Sequence, residues 1–448
     1  MKKRSLLILT NLIIIFILLF SLSSTKVYAR DNLAFSAGTT ANGVNTVQIV
    51  NDAMNGFSSA GYKRYSYIDP SKSTLWSYLY ADVQLFTTHG NLTAISFANS
   101  GIRVGSDNTT HVGTDSVHWD ADTILVTYVS CEGAGTNNSY NTGSITAKTA
   151  LRGADVAVGF RNTIAVASAQ SWSKRYTEKL GQGYGVLDAV NYASSFIYLD
   201  GNVKQVQIVH HGNANMKIGK YKTSTSSSIA SNIVADRDIL STHNINTESL
   251  KSDIVNMYGL KSDSMNISSL RGNILNVGKL KRDNLSIAIN YIEEVYPDIN
   301  IDDYIVTENT GTMTTDINTG KTESQTEYID LQLKIGDFVT TVGYTIGIKN
   351  GEVEAIYDNN IDTAKQEEAI NSKENFKVEI TSTKLKQFEQ NAKNSVAQKY
   401  AFSGIEVQDN TSTTYYYDVE TSKKYVLVTV PTTTKTGEMA YDTVPYEI

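Results

Sequence analysis

Strand-like runs at residues 63–68, 83–87, 123–129, 153–160 and 203–209 alternate with segments whose apolar residues recur at the helical period. The runs at 83–87, 123–129 and 153–160 are largely apolar, which a strand tolerates only when both of its faces are covered. Strands that alternate with helices in this way give a mostly parallel sheet flanked by helices, an α/β class. Residues 44–57 place Val44, Val47, Ile49, Val50, Met54 and Phe57 at amphipathic-helix spacing, and 58–61 close that helix. Further helices are expected over 71–80, with Ser71 or Ser73 as N-cap, over 145–151, and over 171–196 with a break near 181–185. Residues 92–104 alternate like a hairpin turning at 99–101.

The ends of the chain read differently. Lys2, Lys3 and Arg4 precede an apolar stretch at 6–22, and Val27-Tyr28-Ala29 has a small-x-small cleavage pattern, so 1–29 reads as a signal peptide. An uncleaved anchor is the rival for this stretch. The mature chain is then secreted or held at the cell surface, with no membrane association after cleavage. A net charge of −7 without a basic stripe argues against nucleic acid as a partner.

Composition shifts to Ser, Asn, Asp and Lys across 221–284, which reads as a linker. Inside it Leu250, Leu260, Leu270 and Leu280 open ten-residue repeats, a spacing that suits short strand-and-turn units better than a helical stripe. The linker is either an expanded spacer or a protease-sensitive activation segment. Residues 285–362 and 363–448 each read as a helix followed by hairpins, hence two small α+β modules. Neither contains Cys or His, so they look non-catalytic. The long α/β domain at 30–220 carries the chemistry.

One cysteine, Cys131, follows the apolar run at 123–129 in the turn Ser130-Cys131-Glu132-Gly133. Forty-two residues upstream, the run at 83–87 ends in Thr87-Thr88-His89-Gly90. In an open parallel sheet the loops at the strands' carboxyl ends converge, so a thiol and an imidazole would meet there. Cys131 is the candidate nucleophile and His89 the candidate base and acid. The N–H groups of Gly90 and Cys131 are candidate oxyanion donors. Arg161, after the run at 153–160, is a candidate substrate-binding residue that would favour acidic or polar substrates. His210 and His211 repeat the apolar-His-Gly pattern in Val206-Gln-Ile-Val-His210-His211-Gly212, and are expected to be structural. Asp107, Asp115, Asp120 and Asp122, beside His111 and His118, lack any defined ligand spacing, so no metal and no cofactor is expected.

An apolar strand before His-Gly, about 40 residues, then an apolar strand before small-Cys resembles the caspase-like (clan CD) cysteine peptidases, including the clostripain, gingipain and legumain branches. The resemblance spans residues 44–215 and extends to the strand at Gly153-Ala154 through Val158-Gly159-Phe160. It implies a caspase-like sheet at 30–220 and a secreted thiol protease that hydrolyses peptide bonds of a protein or peptide substrate. Cys131 would form the thioester and His89 would move the proton. Arginine-specific relatives carry Asp two residues before the cysteine, where this chain has Val129. Autoinhibition by the C-terminal modules is expected on the same ground. The rivals are an inactive caspase-like domain used for binding at the cell envelope, and an adhesin whose modules carry the function.

Overall fold

The computed structural model describes residues 32–41, 43–119, 123–219, 267–268, 284–360, 363–401, 405–433 and 439–448. The expected signal peptide, and all of the linker but Ile267–Ser268 and Asn284, lie outside them.

The chain begins with β1 (Leu33–Gly38), α1 (Val47–Ser59), β2 (Lys63–Ile68), α2 (Lys72–Tyr78) and β3 (Val83–Thr87). A small antiparallel group follows: β4 (His89–Asn91), β5 (Ala94–Ser96) and β6 (Gly101–Arg103), with β7 (His111–Gly113) added in parallel. Next come β8 (Leu125–Val129), the short pair β9 (Gly135–Thr136) and β10 (Ser139–Tyr140), α3 (Ile145–Leu151) and β11 (Val156–Phe160). Helices α4 (Val166–Gly181) and α5 (Val186–Ser194) lead to β12 (Val206–His210).

The large sheet of this half has the order β2-β1-β3-β8-β11-β12. Every pair is parallel except β11–β12. Every residue of β3, β8 and β11 is buried, as their apolar composition requires. Alternate side chains divide between two layers. Val83, Leu85, Leu125, Val129 and Val158 pack with α1, α4 and α5 through Ile49, Phe57, Trp172 and Val190. Phe35, Phe86, Val126 and Tyr128 pack on the other face with Leu75 of α2 and Ile145 of α3. The molecule is thus mixed α/β, with a large sheet between helices.

One difference from the sequence expectation has a physical cause. The helix expected from 171 begins at Val166, and no side chain caps its N-terminus, so the usual start signal is missing. The hairpin expected at 92–104 is present as the antiparallel pair β5–β6, within the four-stranded β4–β7 group. His210, on the antiparallel β12, pairs with Val156 at the amino end of β11, away from the edge that carries His89 and Cys131.

The sheet continues past β12. Strand β13 (Ile267–Ser268) and helix α6 (Asn284–Val295) precede β14 (Tyr304–Asp316), β15 (Lys321–Ile335), β16 (Phe338–Lys349) and β17 (Glu352–Asp358). Strand β14 runs parallel to β12, while β14 through β17 are antiparallel and β13 pairs with β17. Ala288 and Ile292 of α6 pack on Ile329, Leu331 and Ile346 of that sheet. The remainder is α7 (Thr363–Asn371), α8 (Ser382–Tyr400), β18 (Glu406–Val407), β19 (Ser412–Asp418), β20 (Lys423–Thr433) and β21 (Met439–Glu447). Ala392, Val396 and Tyr400 of α8 cover Val426, Val428 and Val430 of β20. The sequence reading did not contain α7, and its short polar stretch has little apolar periodicity to reveal it.

A buried ion pair joins the two halves. Lys204, in the single turn before β12, sets its Nζ 2.5 Å from Oδ1 of Asp330 on β15, and both side chains are almost wholly buried. Thr345 Oγ1 donates to the same oxygen at 2.6 Å, and Asn309 Nδ2 donates to Oδ2 at 3.2 Å. The Tyr328 ring lies 5.3 Å from the ammonium. With its partners this satisfied the charges, but a lone buried ion would be costly. Asp330→Ala is therefore expected to destabilise the protein by about 3–5 kcal/mol, read as a lower urea midpoint. Lys204→Met combined with Asp330→Leu should recover most of the loss. Equal losses in the single and double variants would refute the pairing.

Candidate active site

The parallel register of β3 and β8 runs from Val83 opposite Leu125 to Thr87 opposite Val129 without a bulge. His89 and Cys131 each stand two residues beyond that last pair, His89 as the first residue of β4 and Cys131 in the turn after β8. Both line one narrow cleft that opens to solvent at the carboxyl edge of the sheet. The sequence-derived pair is thus brought together. Both residues are nearly covered, His89 at 2% exposure and Cys131 at 6%.

Local interactions fix each partner. His89 opens β4 opposite Ser96, and Thr88 donates its hydroxyl hydrogen to the Ser96 carbonyl, so the side group of strands holds the imidazole at the end of β3. The Cys131 thiol donates towards the Ile164 carbonyl oxygen at 3.8 Å. Glu132 next to it adopts φ +53°, the left-handed region that favours glycine. Its N–H donates to the Asn162 carbonyl at 3.0 Å, and Ala134 N–H to that of Phe160 at 2.9 Å. The turn after β8 is therefore tied to the end of β11. Burial raises the Glu132 carboxyl above its ordinary range.

Gly90 also matters for what it lacks. A Cβ there would stand 2.7 Å from both Cβ and Oγ of Ser130, so the missing side chain makes room for the residue before the nucleophile. Gly38, opposite Thr87 on β1, is similar, because a Cβ would meet Val50 Cγ2 at 2.6 Å and Thr46 Oγ1 at 2.7 Å. Backbones at this edge approach closely because glycine permits it.

Thr46 was not singled out from sequence. It stands at the N-cap of α1, yet its side chain makes no cap bond. Its hydroxyl donates to the Thr87 carbonyl at 2.9 Å and accepts from Thr39 N–H at 2.8 Å. One side chain therefore clips the loop after β1 to the end of β3. Val44, Ile164, Val166 and Ala169 also line the cleft and were not anticipated as site residues. Their only sequence signal was an apolar character that any core residue shares.

Arg161 does not join the cleft. Its guanidinium is buried and donates to the carbonyls of Asn138, at 2.8 Å, and Gly311 of β14. Burial pushes its pKa down to about 10, against the pull of Glu327. The strand end was legible, but the neighbouring β14 that receives the side chain begins far along the chain. His211 hydrogen-bonds through Nε2 to the Ala150 carbonyl at 2.9 Å and through Nδ1 to Asn318 Oδ1 at 3.1 Å. His111 bonds Ser96 Oγ at 3.0 Å and Thr110 Oγ1 at 2.9 Å, and burial lowers its pKa. Among the described residues no group of three His, Cys, Asp or Glu side chains could hold a metal ion.

The Gly90–Ser130 contact is open to test. Gly90→Ala should destabilise the protein by about 1–3 kcal/mol in thermal or urea unfolding, as overpacking does. Ser130→Gly in the same chain should return part of that loss, because the two atoms compete for one space. A Gly90→Ala protein as stable as wild type would show that the contact is not tight.

No family model matches this chain and no curated protein matches it, so the chemistry of the site has to be argued from its own geometry.

Proposed function

We propose that this protein is an exported caspase-like cysteine endopeptidase in which Cys131 is the nucleophile and His89 the proton carrier. The observation that carries it is the shared level of these two residues past the Thr87–Val129 pair, in one cleft at the sheet's carboxyl edge. The strand order reverses between β1 and β3, and clefts outside such a reversal are where open α/β sheets bind ligands.

The thiolate attacks the scissile carbonyl carbon, and the electron pair moves to oxygen. N–H groups of Gly90 and Cys131 are the nominated donors to that oxyanion. Collapse expels the amine, which takes a proton from the His89 imidazolium, and leaves a thioester on Cys131. Water, losing a proton to His89, then hydrolyses the thioester and restores the thiol. No cofactor enters this sequence.

Export rests on the 1–29 segment, and no helix among the described residues is long and apolar enough to cross a membrane. Packing of α6 on β15–β17 and of α8 on β20 supports two related α+β modules at 285–362 and 363–448.

The second module also bears on control of the site. Tyr400, at the end of α8, donates to the Gly43 carbonyl at 2.6 Å, in the loop that carries Val44 and Thr46 into the cleft. Asp442 of β21 bonds the same hydroxyl, and β21 packs beside β4, which begins at His89. With His89 and Cys131 so nearly covered, this contact supports autoinhibition by the C-terminal module.

A peptidyl acyloxymethyl ketone applied to the full chain should modify Cys131 stoichiometrically, seen as one mass increment mapped to that residue. Cys131→Ala should take up none, and His89→Ala should react about 10²-fold or more slowly, the usual range for a lost proton carrier. A folded protein that never labels would favour the inactive, binding-only domain. Tyr400→Ala should label several-fold faster than wild type. An unchanged rate in Tyr400→Ala would remove the inhibitory role from the module.

A further inference from the structure

The walls of the cleft are aliphatic. Val44 and Ile49 come from the α1 side, Val129 from the end of β8, and Ile164, Val166 and Ala169 from the approach to α4. The remaining lining residues besides His89 and Cys131 carry only hydroxyls, and Thr46 already uses its hydroxyl on Thr87 and Thr39. Among the described residues no Asp, Glu, Lys or Arg lines the cleft. Arg161, the residue expected to read a carboxylate, lies outside the cleft and donates to the Asn138 and Gly311 carbonyls instead.

Charge then decides what enters. A guanidinium, ammonium or carboxylate moved from water into this cleft would lose hydration and meet no counter-charge. An aliphatic side chain loses nothing on the same transfer and gains contact with five branched residues. Val129 is 3% exposed, ends β8 two residues before Cys131, and belongs to the same core layer as the cysteine. Ile164 is tied to the nucleophile from the opposite side, since its carbonyl accepts from the Cys131 thiol. These two residues flank the sulfur.

We infer that the cleft receives an uncharged aliphatic side chain on the residue whose carbonyl is attacked, and that Val129 and Ile164 set this preference. The inference rests on the peptidase function proposed above and names its substrate class. It makes the enzyme a cutter after aliphatic residues, neither arginine- nor aspartate-directed.

The test uses a set of acyloxymethyl ketones on one peptide scaffold, differing only at the residue next to the electrophile: Ala, Val, Leu, Phe, Arg and Asp. Rates are measured on the full chain and on full-length Tyr400→Ala. Val and Leu reagents should modify Cys131 about 10–100-fold faster than Arg or Asp reagents, the span an apolar pocket commands. Val129→Asp should move the preference towards Arg. Val129→Thr keeps the volume while adding a hydroxyl, and should slow the Val and Leu reagents without slowing the Arg one. Labelling of Cys131 fastest with Arg or Asp, or at one rate throughout the set, overturns the aliphatic cleft and leaves the peptidase standing. Absence of labelling by every reagent in both proteins overturns the peptidase itself, and the cleft's specificity with it.

Discussion

The one-to-one pairing of β3 with β8 is the constraint on which the site depends. Strand side chains alternate, so a slip of one residue would send Leu125 and Val129 to the other layer and carry Cys131 with them. Two separate cores resist the slip. Leu125 and Val129 belong to the layer under α1 and α4, while Val126 and Tyr128 belong to the layer under α2 and α3. Each residue of β8 is buried, so neither layer can exchange its members without leaving holes and clashes on both faces of the sheet. The level of the thiol relative to the imidazole is therefore a property of the whole core.

At the strand ends, close backbone approach takes over from side-chain packing. Gly38 and Gly90 stand where a Cβ would collide with Thr46 or Ser130, and Glu132 holds a left-handed φ beside the nucleophile. Non-glycine residues in that region persist only when their surroundings hold them there. The bonds from Glu132 N–H to Asn162 and from Ala134 N–H to Phe160 supply that hold, using the parallel neighbour β11 as the anchor. Thr46 performs the corresponding task between β1 and β3. The site is thus gripped from both neighbouring strands by backbone hydrogen bonds, with few side chains committed to the task.

Sequence patterns were informative for exposed and buried elements alike. The strands at 63–68 and 83–87 and the helix at 145–151 lie where the periodicity puts them, and Ser71 caps its helix by accepting from Thr74 N–H. His89 and Cys131 were legible because each follows a run that only a buried strand could use. Arg161 illustrates the limit. Its place at a strand end was readable, but its direction depends on β14, which reaches β12 only after the intervening linker. Gly90 was readable as a position without a side chain, whereas the neighbour that requires it, Ser130, lies forty residues on in the sequence and is adjacent only in the sheet. Local signals report burial and capping well. They do not report which distant strand comes alongside.

That distant strand explains why the second half of the chain is bound to the first. Strand β12 is antiparallel to β11, so the parallel sheet ends there with one open edge, and an open edge is a row of unsatisfied backbone groups. Pairing of β12 with β14 removes the edge and extends a single sheet into the C-terminal half. Two buried cations lie along this seam, Arg161 against carbonyl oxygens and Lys204 against Asp330. Burial lowers the pKa of both, and Asp330 across the seam pulls that of Lys204 back up. A cation buried this way costs far more alone than paired. The C-terminal half is therefore held to the α/β half by the same groups that its removal would leave unsatisfied, and the contact of Tyr400 with the cleft loop is made from a body whose position is already fixed at β12.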